Sequence, residues 1–189
     1  MSYIGKTPTS VPLTSSDITD GIITTTKIAD SSVTSAKLGS GATNTPYFYG
    51  ELASDQTLTR NSFTKITGLT NDELDSASAF DGTTFTVPSG QGGKYYLEGV
   101  VTGDYAAIGE DGNNTVALIY KNGSEIKSAK LQQGNNENMR EITITVSGLF
   151  NLSATNTIEL YAYTLDSNGG NALVQANRTS LMGYRIIGA

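Results

Sequence analysis

The sequence contains no cysteine, no histidine and no tryptophan. Without cysteine there is no disulfide framework and no thiolate metal site, and the redox compartment is left open. Without histidine the chain lacks the usual general base near neutral pH and the commonest transition-metal ligand. Catalysis would fall to carboxylates, Ser, Lys or Tyr. Two acidic groups stand out, Asp72, Glu73 and Asp75, then Asp104, Glu110 and Asp111. Both lie in turns rich in Asn and Gly, where solvated loop charges are the ordinary outcome, so the expectation is that this is not an enzyme. No apolar run approaches the roughly 20 residues of a membrane-spanning helix, and no membrane insertion is expected. The opening MSYIGKTPTS lacks the apolar centre of a secretion signal, and the expectation is a chain made in a cytoplasm.

Charge is scarce as well. Only 16% of the 189 residues are charged, and the net charge is −6. Up to residue 46, Lys6, Lys27 and Lys37 balance Asp17, Asp20 and Asp30, so the whole negative balance rests on the remainder. Nothing in that distribution attracts a phosphate backbone, which excludes nucleic acid as an expected partner. What the chain has in quantity is glycine, 21 residues. With only 4 prolines, this composition indicates a β protein with many turns.

Residues 7–45 are rich in Ser and Thr and hold no aromatic residue. At a ten-residue step, Leu13, Ile23 and Val33 fall in one register, and Ile18, Ile28 and Leu38 in a second. Thr14, Thr24 and Thr34 align too, and Lys27 and Lys37 precede the second apolar position in two of three copies. An apolar residue every five positions fits neither a helix nor an alternating strand. It suits short extended pieces separated by tight turns. Each unit has only two apolar side chains, too few to offset its ordering entropy alone. Burial then requires several chains around one axis, or docking on a larger surface. The alternative is a flexible Ser/Thr-rich linker.

GSGATNTP at 39–46 is a linker by composition, which divides the chain into an N-terminal segment, 1–46, and a domain, 47–189. Every Phe and every Tyr except Tyr3 lies in the second part. Strand-like runs follow one another there: 47–52, 63–66, 83–87, 94–101, 115–120, 125–131, 141–152, 157–163 and 180–188. Lys121-Asn122-Gly123-Ser124 is an Asn-Gly hairpin signal between two of them. Nine or ten short strands without a helical stripe predict an all-β sandwich or jelly roll. Asp104, Glu110 and Asp111, with Asn113 and Asn114, place hard oxygen donors in one acidic loop. A calcium site there is the alternative to a solvated loop. The glycines of PSGQGGK precede a strand and lack the Lys-Ser/Thr ending of a phosphate loop, so they mark a turn.

The order FDGTTFTVPSGQGGKYYLEGVV, VALIYKNGSEI, TIELYAYTL and SLMGYRIIG resembles the globular head of the complement C1q and tumour-necrosis-factor superfamily. Phe85, Thr86, Val87, Pro88, Gly93, Tyr95 and Leu97 carry the most specific part. Lys121, Asn122 and Gly123 follow, then Gly183, Tyr184 and Ile186. A longer PSGQGGKY turn, and Leu97 where the family has an aromatic, are departures. The resemblance implies a ten-stranded jelly roll assembled as a tight homotrimer. It implies an axis lined by apolar and aromatic residues, for which Tyr47, Phe48, Tyr49, Tyr161, Tyr163 and Tyr184 are candidates. Some relatives bind calcium near the trimer apex.

The segment MSYIGKTP with DITDGIITTTKIADSSVTSAKL resembles the shaft and attachment segments of bacteriophage tail-fibre and virion-appendage proteins, particularly of marine phages. The two resemblances together imply a virion structural protein whose N-terminus contacts other virion proteins. Leu13, Ile18, Ile23, Ile28, Val33 and Leu38 would form its anchor or shaft, and the exposed knob would be free for a host-surface glycan or protein. The alternatives are a capsid decoration or cement protein, and a secreted C1q-like lectin or signalling module.

Overall fold

The computed structural model describes residues 44–70, 74–105, 112–132, 139–166 and 170–186, and in the N-terminal segment residues 14, 16, 18–30, 32–34 and 37. The chain divides by its contacts into two units, Met1–Gly39 and Ser40–Ala189. Within the first, the described residues include a 3-10 turn, Thr25–Lys27.

The second unit is all-β. Among the described residues its strands are β1 (Tyr47–Leu52), β2 (Gln56–Thr57), β3 (Thr64–Lys65), β4 (Leu69–Thr70), β5 (Thr84–Thr86) and β6 (Gly93–Asp104). They continue with β7 (Gly112–Lys121), β8 (Ser124–Gln132), β9 (Glu141–Leu152), β10 (Thr157–Asp166), β11 (Leu173–Val174) and β12 (Ser180–Arg185). All pairs are antiparallel. In the first sheet β6 lies between β9 on one side and β12 with β11 on the other; β1 pairs β12, β2 pairs β11, and β4 pairs β1. In the second sheet β3 and β5 share one side of β10, and β7 and β8 follow on the other. Most connections between the described strands cross from one sheet to the other; β1–β2, β7–β8 and β11–β12 stay within one. Of these, β7–β8 is a paired hairpin, closed by Asn122 (φ 51°) and Gly123 (φ 75°). Both residues need positive φ in such a two-residue turn, which is why Asn-Gly suits it.

Antiparallel strands buried on one face alternate apolar inward and polar outward. In β6, Tyr95, Leu97 and Val101 are buried while Tyr96 and Glu98 face out. These residues join Phe48, Phe85, Ile119, Val146, Ile158, Leu160 and Leu181 in one core between the sheets. Phe48 stacks on Phe85 with ring centroids 4.2 Å apart, and Phe80 closes on Phe48 at 5.1 Å. Gly183 leaves room for this cluster: a Cβ there would stand 2.6 Å from Leu97 Cδ2 and 2.8 Å from Phe48 Cε1. A continuous apolar run is different. In β7, Ala117 and Ile119 face the core, yet Val116 and Leu118 on the opposite face are also buried, so β7 is covered on both sides.

The core tyrosine gives the fold a pH dependence. Tyr95 is fully buried and donates its phenol hydrogen to the Gln91 carbonyl oxygen at 2.6 Å. Burial pushes its pKa from the ordinary 10.0 up to about 12, against a smaller opposing pull from Arg185. The folded state therefore favours the neutral phenol. That stability is fully present below pH 10 and is lost as pH rises through about 12. The urea midpoint should hold to pH 10 and then fall, and Tyr95→Phe should flatten part of that fall. An identical decline in the variant would mean that Tyr95 is not the responsible group.

Candidate functional site

In the N-terminal segment some hydrogen bonds recur ten residues apart. Lys27 donates from Nζ to the Ile22 carbonyl at 2.7 Å, and ten residues later Lys37 donates to the Ser32 carbonyl at the same distance. Backbone bonds repeat at this step as well: Lys27 N–H to Thr24 O and Lys37 N–H to Thr34 O, both 2.9 Å. The Thr14–Ser16 and Thr24–Thr26 hydroxyl pairs, each at 2.8 Å, also stand ten apart. These bonds are all made within the segment, between residues two to five apart. Its apolar groups are left over: Ile18, Ile22, Ile23, Ile28 and Val33 are all at least 40% exposed. Leu13 and Leu38 lie outside the described residues.

A second apolar surface lies on the outward face of the first sheet. Strand register sets Tyr47 opposite Tyr184, Tyr184 opposite Tyr96, and Tyr96 opposite Leu149. These four side chains form one row across β1, β12, β6 and β9. At about 4.8 Å per strand the row is roughly 14 Å long. The Tyr96 and Tyr184 rings are 5.4 Å apart, Tyr47 is 40% exposed, and Leu149 is 66% exposed. The next row is Tyr49, Met182, Glu98 and Ser147. Tyr49 and Tyr96 each donate to the carboxylate two residues along their own strand, Glu51 at 2.7 Å and Glu98 at 2.6 Å. The bond to Glu98 is the main cause that raises the Tyr96 pKa, whereas for Tyr49 burial comes first and the bond to Glu51 second. Both phenols are held neutral, and both carboxylates have a donor within the same face. These two phenols and two carboxylates are thus paired within the face, which lowers the cost of covering them.

The six aromatic candidates for a trimer axis fall in three places. Tyr47, Tyr49 and Tyr184 share the outward face of the first sheet. Tyr161 and Tyr163 lie on the outward face of the second sheet, Tyr161 stacked on Tyr120 at 4.0 Å and Tyr163 beside Phe63 at 5.2 Å. Phe48 is placed differently from the expectation. It is 2% exposed inside the sandwich, so its ring is used up within one chain and has no surface to offer an axis. One missed residue is Tyr96. Its signal was present in KYYLEGVV, since alternation puts Tyr95 and Tyr96 on opposite faces.

Of the calcium candidates, Glu110 and Asp111 lie outside the described residues. The Asp104 carboxylate accepts a hydrogen bond from Gln175 Nε2 at 2.8 Å. Among the described residues no three acidic side chains come together in a way that would hold a metal ion. Asp75, from the other acidic group, caps its own turn by accepting from the Ala77 and Phe80 amides; Asp72 and Glu73 lie outside the described residues.

No protein-family model matches the chain, and no curated protein matches it.

Proposed function

We propose that the chain is a bacteriophage virion structural protein, a homotrimeric fibre, spike or surface appendage made in the host cytoplasm. In this reading residues 1–46 attach to other virion proteins and residues 47–189 form an exposed C1q/TNF-like jelly-roll knob. The observation that carries it is the row Tyr47–Tyr184–Tyr96–Leu149. A row of three aromatic rings and a leucine on an outward sheet face marks an interaction surface, and the Glu51 and Glu98 carboxylates of that face are already paired with phenols. A three-fold ring uses one heterologous contact three times, so the row of each copy meets a different surface of the next. The crossing of the chain between sheets supports a jelly roll. The exposed isoleucines of the repeat support a segment whose burial awaits other chains.

Trimerisation and anchoring are then coupled, because the repeat buries its apolar side chains only on assembly. Light scattering on the full chain at micromolar concentration is expected to give a trimer, and a stable monomer would sink the reading. Deleting residues 1–40 separates the roles of the two parts. The expected result is a trimer that persists through the knob but no longer joins the particle. Loss of the trimer would instead assign the three-fold contacts to the repeat.

A further inference from the structure

β9 lies at one margin of the first sheet. Among the described residues it pairs with β6 alone, along its whole length from Glu141 to Leu152. The direction of its hydrogen bonds follows from the ladder's first step. The Tyr105 amide donates to the Arg140 carbonyl at 2.9 Å, one position beyond the Asp104–Glu141 pair. Bonded pairs in an antiparallel ladder come at every second residue, so the even-numbered residues of β9 bond β6. The far side of β6 agrees, since its Lys94 carbonyl accepts from the Ile186 amide that follows β12. Glu141, Thr143, Thr145, Ser147, Leu149 and Asn151 therefore turn their N–H and C=O groups to the open edge. All six are exposed, and among the described residues no turn or loop backbone bond reaches them.

An exposed strand edge invites pairing with another chain, and proteins normally blunt it with charge, proline, a bulge or brevity. The other margins of this sandwich are blunted. β2, β3, β4 and β5 are two or three residues long. β8 carries Glu125, Lys127 and Lys130, and its register against β7 shifts at Ile119. β9 has neither proline nor charge from Ile142 to Leu152. The order of its residues selects what joins it. The open residues are centred on Val146, and two copies related by a two-fold axis there pair all of them: Thr145 with Ser147, Thr143 with Leu149, and Glu141 with Asn151. Every other two-fold register leaves some unpaired. No like charges meet, and Thr opposite Ser is a favourable cross-strand pair. We propose that β9 pairs antiparallel with β9 of a second copy, centred on Val146, so that two first sheets become one. This contact is two-fold and closes on itself. It goes beyond the three-fold fibre reading and does not depend on it. It covers one leucine and otherwise small or polar side chains, so it is weaker than the aromatic row and joins neighbouring knobs side by side at submillimolar concentration.

Because the chain has no cysteine, introduced thiols report the register directly. Full-length Thr145→Cys and Ser147→Cys chains, refolded together at submillimolar concentration and oxidised, are expected to give a disulfide-linked dimer of the two variants. Bonded partners stand about 5.5 Å apart at Cα, within reach of a disulfide. Either variant alone should give little dimer, because its own two copies of the position stand diagonally, about 7–8 Å apart. Thr145→Cys mixed with Asn151→Cys is out of register and should also give little. No dimer from the first mixture overturns the proposal, as does an equal yield from the controls. Light scattering supplies a check without cysteine. The parent should gain mass between micromolar and submillimolar concentration, and Thr145→Lys combined with Ser147→Lys, both at exposed positions, should abolish the gain. A parent that gains no mass overturns self-pairing and leaves the edge to a strand of a different protein. A gain that the lysine variant keeps overturns it too. A trimer without the disulfide between positions 145 and 147 refutes the edge contact and leaves the fibre reading intact. That disulfide in a chain that forms no trimer does the reverse.

Discussion

Tyr184→Glu in the full chain is expected to convert the trimer to a monomer at micromolar concentration. Tyr184 stands in the middle of the row, between Tyr47 and Tyr96 in register. A carboxylate there would be buried without a cation at each of the three contacts, at a cost of several kcal/mol apiece. A loss of about 4 kcal/mol per contact raises each dissociation constant about a thousandfold. Leu149→Glu, at the exposed end of the row on β9, should act in the same direction with a smaller effect. Tyr161→Glu is the comparison, because Tyr161 lies on the other sheet's outward face, beside Tyr120. It should leave the assembly intact. Circular dichroism of Tyr184→Glu should match the parent, since the residue contributes to the face and not to the core. If Tyr184→Glu stays trimeric while Tyr161→Glu dissociates, the contact belongs to the second sheet and the row is not the interface.

Phe48→Ala has the largest expected effect on the single chain. The ring is 2% exposed, stacked on Phe85 and closed over by Phe80. Removing a buried phenylalanine of this kind costs about 3–5 kcal/mol, a large share of the roughly 5–15 kcal/mol that stabilises a domain. With a urea slope of about 1–3 kcal/mol per molar, the midpoint should fall by roughly 2 M. Phe63→Ala, where the ring is 53% exposed, should stay within about 0.5 kcal/mol of the parent. A Phe48→Ala loss below about 1 kcal/mol would mean that the aromatic cluster is not packed as one core.

Much of the fold can be read locally because its signals are local. The alternating run 141–152 is a strand from end to end, and Asn122-Gly123 makes the turn that its residues require. The short pieces β2, β4 and β11 cannot be read that way. Each is two residues long and owes its pairing to a neighbour distant in sequence, as Leu173 opposite Thr57 shows. Alternation places Tyr47 and Tyr49 on the face opposite Phe48, so the burial of Phe48 was within reach of the pattern. What alternation does not give is the sheet to which a strand belongs. Tyr161 and Tyr184 both point outward, but from opposite sides of the sandwich. The Phe63–Tyr163 contact is hidden for the same reason, since the rings meet only because the segment around β3 runs alongside β10.

The crossing of the chain between sheets also bears on how the molecule is made. β12 is the last of the described strands to leave a ribosome, yet it sits between β6 and β1 at the middle of the first sheet. Until it arrives, β6 and β1 have no ladder to join them, and Phe48 lacks the Gly183 backbone against which it packs. The first sheet is therefore closed only after translation has passed Arg185. A nascent chain stopped before residue 180 would lose the centre of that sheet, not its margin, and would present two open strand edges to neighbouring polysomal chains. For a protein that three copies are proposed to build, late closure also means that the aromatic row exists only on chains read past Tyr184.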